Sequence, residues 1–207
     1  MTRNEATLLV MQRLGKRTGL DADVVAELKQ AQNDLELGVT LPWFLKKSLS
    51  GLVTVAGTRT VALPTDFLRE TDERWREVAT SGTASLTKGS YDELYEREIF
   101  GAGYLASQYY AIVGTNMYLF PTPAEVKTIS GFYYAKDAVL SADGTENNWL
   151  LWLPGLLIAR AGIRMAKTLR DNEAYGMFKE DYIEAYNGFL STETAREQAA
   201  LTTIAGG

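Results

Sequence analysis

The chain has 207 residues, 46% of them hydrophobic and 11% aromatic, which is enough to form a folded domain with a sizeable core. It contains no histidine and no cysteine. This composition excludes histidine-dependent catalysis, cysteine nucleophiles, disulfides, and metal sites built from imidazole or thiolate ligands. The net charge of −5 also argues against a protein that wraps nucleic acid by neutralising phosphates.

Two short helices are predicted at the start of the chain. Thr2 and Glu5 have the spacing of a capping box, and apolar residues follow at helical intervals until Gly15. Asp21 is predicted to cap a second helix, which ends at Gly38. The apolar stripe of the second helix consists of Val24, Leu28, Ala31 and Leu35. Neither helix can bury much surface alone, so both are expected to pack on later parts of the chain.

The next segment has the alternating pattern of β-strands. Residues 53–63 alternate around Gly57 and predict a β-hairpin. The side chains expected on its shared face are those of Val53, Val55, Val61 and Leu63. Residues 75–87 predict two short strands, and Ser90 is predicted to cap a brief helix. Gly101 and Gly103 indicate a turn, because no Lys-Ser/Thr pair follows to complete a phosphate-binding loop.

An aromatic β ribbon is predicted further along. Tyr109–Val113 and residues 117–120 alternate around a Gly-Thr-Asn turn, which is a good hairpin signal. Residues 127–136 predict a third strand and therefore an antiparallel meander.

The last third of the chain is predicted to be helical. Asp143 and Gly144 indicate a turn, and Thr145 is predicted to cap the helix that follows. Because a proline fits the first turn of a helix but breaks its interior, we expect a short helical turn before Pro154 and a helix over residues 154–169. The apolar run of residues 149–159 is shorter than the ~20 residues that a membrane-spanning helix needs.

A final helix is predicted from Asn172. Its inner face is expected to consist of Tyr175, Phe178, Tyr182, Ala185 and Phe189. After Leu190 the chain becomes polar, with only Leu201 and Ile204 as large apolar residues. Such a tail cannot bury enough surface to order itself, so we expect it to fold on a partner, with residues 192–200 extending the last helix.

The predicted fold class is α+β, with a helical bundle formed by the N- and C-terminal helices and an antiparallel β region inserted between them. The expected organisation is N-terminal bundle helices over residues 1–50 and an inserted β-rich region over residues 51–140. C-terminal bundle helices follow over residues 141–190, and residues 191–207 form a C-terminal arm.

Three patterns admit a chemical interpretation besides a structural one. The acidic group Asp92, Glu93, Glu96 and Glu98 could supply the carboxylate pair of a cell-wall hydrolase, or it could be a solvated helix face. Residues 143–146 could suggest calcium, but the Asp-x-Asp-x-Asp spacing of a calcium loop is missing. The aromatic ribbon could stack single-stranded nucleic acid, but it has few interleaved cations, so cross-strand packing or a subunit contact is favoured.

An ordered set of motifs runs through about residues 5–190. After the two opening helices, these motifs are Leu41-Pro42-Trp43-Phe44-Leu45 and the predicted hairpin of residues 53–63, which closes on Leu63-Pro64-Thr65-Asp66-Phe67-Leu68. They continue with Tyr118-Leu119-Phe120-Pro121-Thr122-Pro123, Phe132-Tyr133-Tyr134, and Glu146-Asn147-Asn148-Trp149-Leu150 with the Ala-rich helix that follows it. In this order the sequence resembles the head–tail connector proteins of tailed bacteriophages, also called adaptor or head-completion proteins.

The resemblance implies a structural virion protein without enzymatic activity, cofactor or metal. Such proteins form a twelve-fold ring at the head–tail junction, below the portal protein, and continue the DNA channel towards a tail protein (nozzle, tube or stopper). Duplex DNA passes through the ring without specific binding, no membrane is involved, and assembly takes place in the host cytoplasm.

The resemblance also suggests roles for individual residues, since relatives grip the portal with carboxy-terminal extensions. The expected portal-binding residues are Thr192, Arg196, Leu201 and Ile204. The residues expected at a subunit or tail interface are Tyr109, Tyr118 and Tyr133. The alternative function is a small carboxylate-dependent virion hydrolase that degrades the cell wall.

Overall fold

Helices and strands both contribute to the fold, which is α+β as predicted. This computed structural model describes residues 1–79, 82–100 and 108–205, without the side chains of residues 50, 79, 100, 197 and 199–205. The helices are α1 (Arg3–Arg13), α2 (Asp21–Glu36), α3 (Tyr91–Phe100), α4 (Asn148–Trp152), α5 (Pro154–Leu169) and α6 (Asn172–Ala205). The strands are β1 (Lys46–Val53), β2 (Thr60–Ala62), β3 (Phe67–Glu70), β4 (Arg76–Ala79), β5 (Gly82–Ser85), β6 (Thr87–Lys88), β7 (Tyr109–Val113), β8 (Asn116–Phe120) and β9 (Thr128–Ala135).

The chain divides into two compact units. A helical unit comprises Met1–Leu45 together with Asp137–Gly207, and a β unit comprises Lys46–Lys136. The turn predicted at Gly101 and Gly103 lies outside the described residues.

Helix α5 is the centre of the helical unit and packs against α1, α2, α4 and α6. It begins at Pro154 and ends at Leu169, as the sequence predicts. Its buried side chains are mostly small or aliphatic, so neighbouring helices can approach closely on more than one side. One close approach is at Gly162, where a Cβ atom in place of the glycine hydrogen would lie 2.3 Å from the ring of Phe178 on α6.

The helix starts are partly as predicted. Thr2 and Glu5 form the capping box of α1, which confirms that prediction. The predictions that Asp21 caps α2 and that Thr145 caps α4 are wrong. Asp21 is already the first residue of α2, where its charge favours the positive end of the helix dipole. Asn147 caps α4, because its side chain accepts a hydrogen bond of 2.9 Å from the backbone N–H of Leu150.

Two sheets form the β unit and pack on a shared core. One has the order β1-β9-β4-β5, with β3 also paired to β9, and the other has the order β2-β8-β7-β6. All described strand pairs are antiparallel except β6 with β7. The core between the sheets contains Trp75, whose ring stacks on Tyr110 at 5.4 Å and leaves no room for a side chain at Gly131.

The predicted pairing of the strands is wrong in two places. Strands β1 and β2 do not form a hairpin, because β1 pairs with β9 and β2 pairs with β8. Consequently Val53 is exposed and Val61 is buried, and the two do not share a face. The hairpin of β7 and β8 is confirmed, but β9 leaves that sheet instead of completing a meander. Pro121 and Pro123, which follow β8, cannot donate hydrogen bonds to a continuing ladder.

The substitution Gly162→Ala is expected to lower the free energy of unfolding by about 1–3 kcal/mol, because the added methyl group overpacks the contact with Phe178. Gly176→Ala on α6 is the matched control. No atom would lie within 4 Å of its Cβ, so the better helix propensity of alanine is expected to raise stability by about 0.5–1 kcal/mol. Urea unfolding followed by circular dichroism measures both values. Equal effects of the two substitutions would contradict this close contact between α5 and α6.

Candidate interaction surfaces

An aromatic cleft lies on the helical unit beside the second half of α6. Its volume is about 360 Å³, and its walls are residues 42–44, residues 152–156 and the face of α6 that carries Ala185, Gly188, Phe189, Thr192, Glu193 and Arg196. We call this surface the tryptophan cleft, after Trp43 and Trp152.

Both tryptophans of the cleft are open to solvent. Trp43 is 39% exposed and Trp152 is 52% exposed, and their rings meet edge to face at 5.2 Å. The guanidinium of Arg196 lies 4.5 Å from the centre of the Trp43 ring, in a cation–π contact. Grouped exposed aromatic residues with an arginine are typical of a surface that binds another protein.

Trp152 owes its position to the short helix α4, which a buried polar network holds in place. The carboxylate of Asp137 accepts hydrogen bonds from the backbone N–H of Trp149 at 3.1 Å and from the Asn148 side chain at 2.9 Å. Together with the cap from Asn147, these bonds satisfy donors at the start of α4. The break at Leu153 before Pro154 then ends α4 and leaves Trp152 outside the core.

The network converges on the carboxylate of Glu36, which is only 6% exposed. Its Oε1 atom accepts from the Gln32 side chain at 2.9 Å, the backbone N–H of Asp137 at 3.1 Å and the indole N–H of Trp149 at 3.3 Å. Asn147 donates in turn to the side-chain oxygen of Gln32 at 3.1 Å. The end of α2, the chain at Asp137 and α4 are therefore joined through one acceptor group.

The predicted portal-binding residues lie on one helix. Thr192 and Arg196 both line the tryptophan cleft. Leu201 and Ile204 belong to the last turns of α6, and their side chains are outside the described part of the chain. A portal-binding role for these four residues stays a prediction.

The last helix extends into the tail, as expected for residues 192–200, and α6 continues without a break to Ala205. That this segment folds on a partner stays a prediction. The expected inner face is present in the first half of α6, where Phe178 and Phe189 are buried. Helix α6 extends beyond this anchored half at a low cost in free energy, because adding a residue to an existing helix is much easier than nucleating a new one.

The three tyrosines predicted at an interface are separated in the β unit. Tyr109 and Tyr118 lie on the four-stranded sheet, where Tyr118 meets Tyr91 edge to face at 4.9 Å. Tyr133 lies on β9 and is buried, with its hydroxyl donating to the Asp66 carboxylate at 2.9 Å. Their role at an interface is a prediction that these contacts do not test.

Two of the acidic residues that suggested a hydrolase are held in ion pairs. Glu93 pairs with Arg97 at 2.5 Å on the exposed side of α3, and Glu98 pairs with Arg59 at 2.5 Å. In the part of the chain that the structure describes, no group of three carboxylates could hold a metal ion. Among the same residues, no helix is long and apolar enough to cross a membrane.

An exposed aromatic cleft next to a long helix is typical of a surface that docks on other proteins. Residues 3–204 match the model of the SU10 adaptor protein family, and the chain therefore belongs to that family. The match confirms the resemblance to phage head–tail adaptors and identifies a structural adaptor protein of a bacteriophage. No curated protein matches the chain significantly.

Replacing Glu36 is expected to destabilise the protein strongly. Glu36→Ala removes the acceptor of the Trp149 indole and of the Asp137 backbone N–H, whereas the Gln32 side chain keeps contacts of 3.4 and 3.3 Å with the carbonyls of Asp137 and Ala138. We expect a loss of about 3 kcal/mol in the free energy of unfolding. Glu36→Gln retains an acceptor oxygen and is expected to lose less. Glu180→Ala, at an exposed position on α6, is the control and is expected to stay within about 0.5 kcal/mol of the original protein. A Glu36→Ala protein as stable as this control would contradict the role of the network.

The Tyr133–Asp66 contact predicts a dependence of stability on alkaline pH. Burial, and then the hydrogen bond to Asp66, raise the pKa of Tyr133 to about 12 from its ordinary 10.0. Below pH 10 the hydroxyl is protonated in both the folded and the unfolded states, so its full contribution to stability is present. Between pH 10 and pH 12 the unfolded state loses the proton first, so this contribution falls as the pH rises. The difference in urea stability between the original protein and Tyr133→Phe is therefore expected to shrink over this range, whereas a constant difference would refute the assignment.

Proposed function

We propose that this adaptor is a subunit of a ring that lies below the portal, continues the DNA channel and docks a tail protein. The observation that carries the proposal is the family match, which spans residues 3–204. The tryptophan cleft and the mostly exposed residues 191–196 of α6 supply contacts that such a subunit needs.

The helices at the two ends of the chain are proposed to form one bundle that serves as the rigid frame of the subunit. Ion pairs between α2 and α5 stiffen this frame: Arg160 binds Asp34 at 2.9 Å, and Arg164 binds both Asp34 and Glu27. A shared acceptor between two arginines restricts both side chains more than an isolated surface pair would.

The second half of α6 is proposed to be the portal-binding arm. A helix of 34 residues is about 51 Å long, and the part beyond Leu190 continues past the last buried aromatic residue, Phe189. Thr192 and Arg196 are exposed on this part. Because the arm is already helical, it would lose less conformational entropy on binding than a disordered tail.

The tryptophan cleft is proposed to complete the portal-binding surface. Trp43 and Trp152 lie beside Thr192 and Arg196, so one portal segment could contact all four. Aromatic and arginine side chains contribute a large share of the binding energy of protein interfaces.

Tyr109 and Tyr118 are proposed to lie at the contact with a neighbouring subunit or a tail protein. Both are only half-buried in the four-stranded sheet. Tyr133 is proposed to act indirectly, by holding Asp66 and the strands that carry the exposed neighbour Phe132.

The isolated protein is proposed to be monomeric or weakly associated. A ring of heterologous contacts closes only when the rotation between neighbouring subunits is fixed, and the portal can fix that rotation. The channel surface is proposed to be neutral or acidic, in keeping with the net charge of −5. Light scattering tests the first proposal, since a stable ring without a portal would oppose it. Salt-sensitive, tight binding to duplex DNA would oppose the second.

Deletion of residues 191–207 is expected to abolish portal binding and leave the rest of the protein folded. The reason is that the last buried aromatic side chain of α6, Phe189, is retained. Binding is measured by co-sedimentation with purified portal, capping of DNA-filled heads is measured by yield, and folding is measured by circular dichroism.

Two point variants test the tryptophan cleft, one at Trp152 and one at Arg196, the arm residue that lines it. Trp152→Ala and Arg196→Glu are each expected to weaken portal binding by about tenfold or more, as for interface residues that contribute strongly. Lys179→Glu makes the same charge change at an exposed position on the first half of α6 and is expected to bind normally. If the protein that lacks residues 191–207 still caps heads at normal yield, the proposal that this arm binds the portal is wrong.

A further inference from the structure

The five-stranded sheet of the β unit carries a basic groove. Its volume is about 520 Å³, and Arg74, Arg76 and Phe132 are among its lining residues. The strand register places Arg76 directly between Ser130 on β9 and Ser85 on β5, and both serines also line the groove. Guanidinium groups are thus surrounded by hydroxyls and one aromatic ring.

The two arginines have no partner for their charge within the described residues. Both are exposed, and neither takes part in a described ion pair or side-chain hydrogen bond. Nearby cations differ in this respect, because Lys46 pairs with Glu73 and Lys127 pairs with Glu77. A pair of unengaged guanidinium groups is suited to bind carboxylates through two parallel hydrogen bonds each.

An acidic surface, opposite in charge to the basic groove, lies on α3. Asp92 and Glu96 are four residues apart and Ile99 follows three later, so that all three lie on one side of the helix together with Tyr95. Tyr95 is 42% exposed and Ile99 is 52% exposed. We call these four residues the acidic stripe.

The carboxylates of the acidic stripe are also unengaged. Among the residues that the structure describes, Asp92 and Glu96 form no ion pair, whereas their neighbours Glu93 and Glu98 are paired with Arg97 and Arg59. Helix α3 packs on the four-stranded sheet through the buried Leu94, which leaves the stripe facing away from that contact.

We propose that the basic groove of one copy of the protein binds the acidic stripe of the next copy in the ring. The inference rests on the proposed ring, and it names the two surfaces that would form its repeating contact. Two arginines meet two carboxylates, and Phe132 meets Tyr95 and Ile99. A ring requires a heterologous contact, in which one subunit carries two different and complementary surfaces, and this chain carries both.

Another copy of the chain fits the groove better than DNA does. Two arginines could contact few phosphates, and DNA affinity grows with the number of phosphates neutralised. The acidic stripe supplies two charges at a helical spacing together with apolar side chains for Phe132.

Charge reversal with mutual rescue tests the proposal on purified portal. Variant one is Arg74→Glu with Arg76→Glu, and variant two is Asp92→Lys with Glu96→Lys. Each alone brings like charges together at every subunit contact, so the concentration for half-saturation of the portal is expected to rise about tenfold or more. An equal mixture restores opposite charges at every contact and is expected to recover normal saturation. Its ring is expected to contain the two variants in a one-to-one ratio, because only alternating neighbours attract.

The control variant is Lys16→Glu with Lys179→Glu, which makes the same charge change as variant one at exposed positions outside both surfaces. It is expected to saturate the portal as the original protein does. Mass photometry gives the number of copies per portal, native mass spectrometry gives the composition, and circular dichroism confirms that each variant is folded.

The outcomes separate this inference from the proposed function. If the original protein does not assemble on the portal, the proposed function fails. If it assembles and both variants assemble equally well, or if the mixture gives no rescue, the paired surfaces are wrong. The inference is also overturned if variant one assembles normally and loses only salt-sensitive binding to duplex DNA, since the groove would then be a phosphate site.

Discussion

The buried carboxylate of Glu36 joins three parts of the chain that are distant in sequence. It accepts hydrogen bonds from Gln32 on α2, from the backbone of Asp137 and from the indole of Trp149 on α4. A buried acceptor with three donors is strongly favoured when all of them are in place and costly when any is missing. The network therefore specifies where the chain re-enters the helical unit after the β unit, and it fixes the position of α4.

Several features of the helical unit depend on that position. With α4 in place, Leu153 and Pro154 turn the chain into α5, and α5 supplies the surface on which α1, α2 and α6 pack. The same turn leaves Trp152 exposed next to Trp43. Stability and the docking surface thus have a common origin, because the bonds that bury Trp149 also present Trp152 to solvent.

The sequence predicts the helices better than it predicts the pairing of the strands. The ends of α5 follow from Pro154 and the capping box of α1 follows from Thr2 and Glu5, since both signals are local. The assignment of β1 and β2 to different sheets depends on which distant strand pairs with each, and alternation alone does not contain that information. Similarly, the polarity of residues 191–196 indicates a mostly exposed segment, and the segment is helical because it continues a helix that is already anchored by Phe178 and Phe189.

For the candidate sites, too, the sequence predicts one part and misses another. Thr192 and Arg196 are expected to bind a partner because the resemblance to head–tail adaptors implies a portal contact in this segment, and the structure brings them together at one cleft. Trp43 and Trp152 stand in apolar runs of the sequence, and such runs favour burial of a tryptophan, so the pattern alone does not indicate that both are exposed. The available signal is Pro154, which ends α4 just after Trp152 and so limits how much of that residue the core can cover.

The continuity of α6 has a mechanical consequence. An α-helix transmits tension and torque along its axis, so a load applied near Ala205 would be carried through Phe189 to the close contact between Phe178 and Gly162. Gly162 lets the two helix backbones approach closely, and such a contact resists sliding because the ring of Phe178 is fully buried. Tension on the far end of α6 would in this way be borne by the contact between Gly162 and Phe178, and not by the exposed part of the helix.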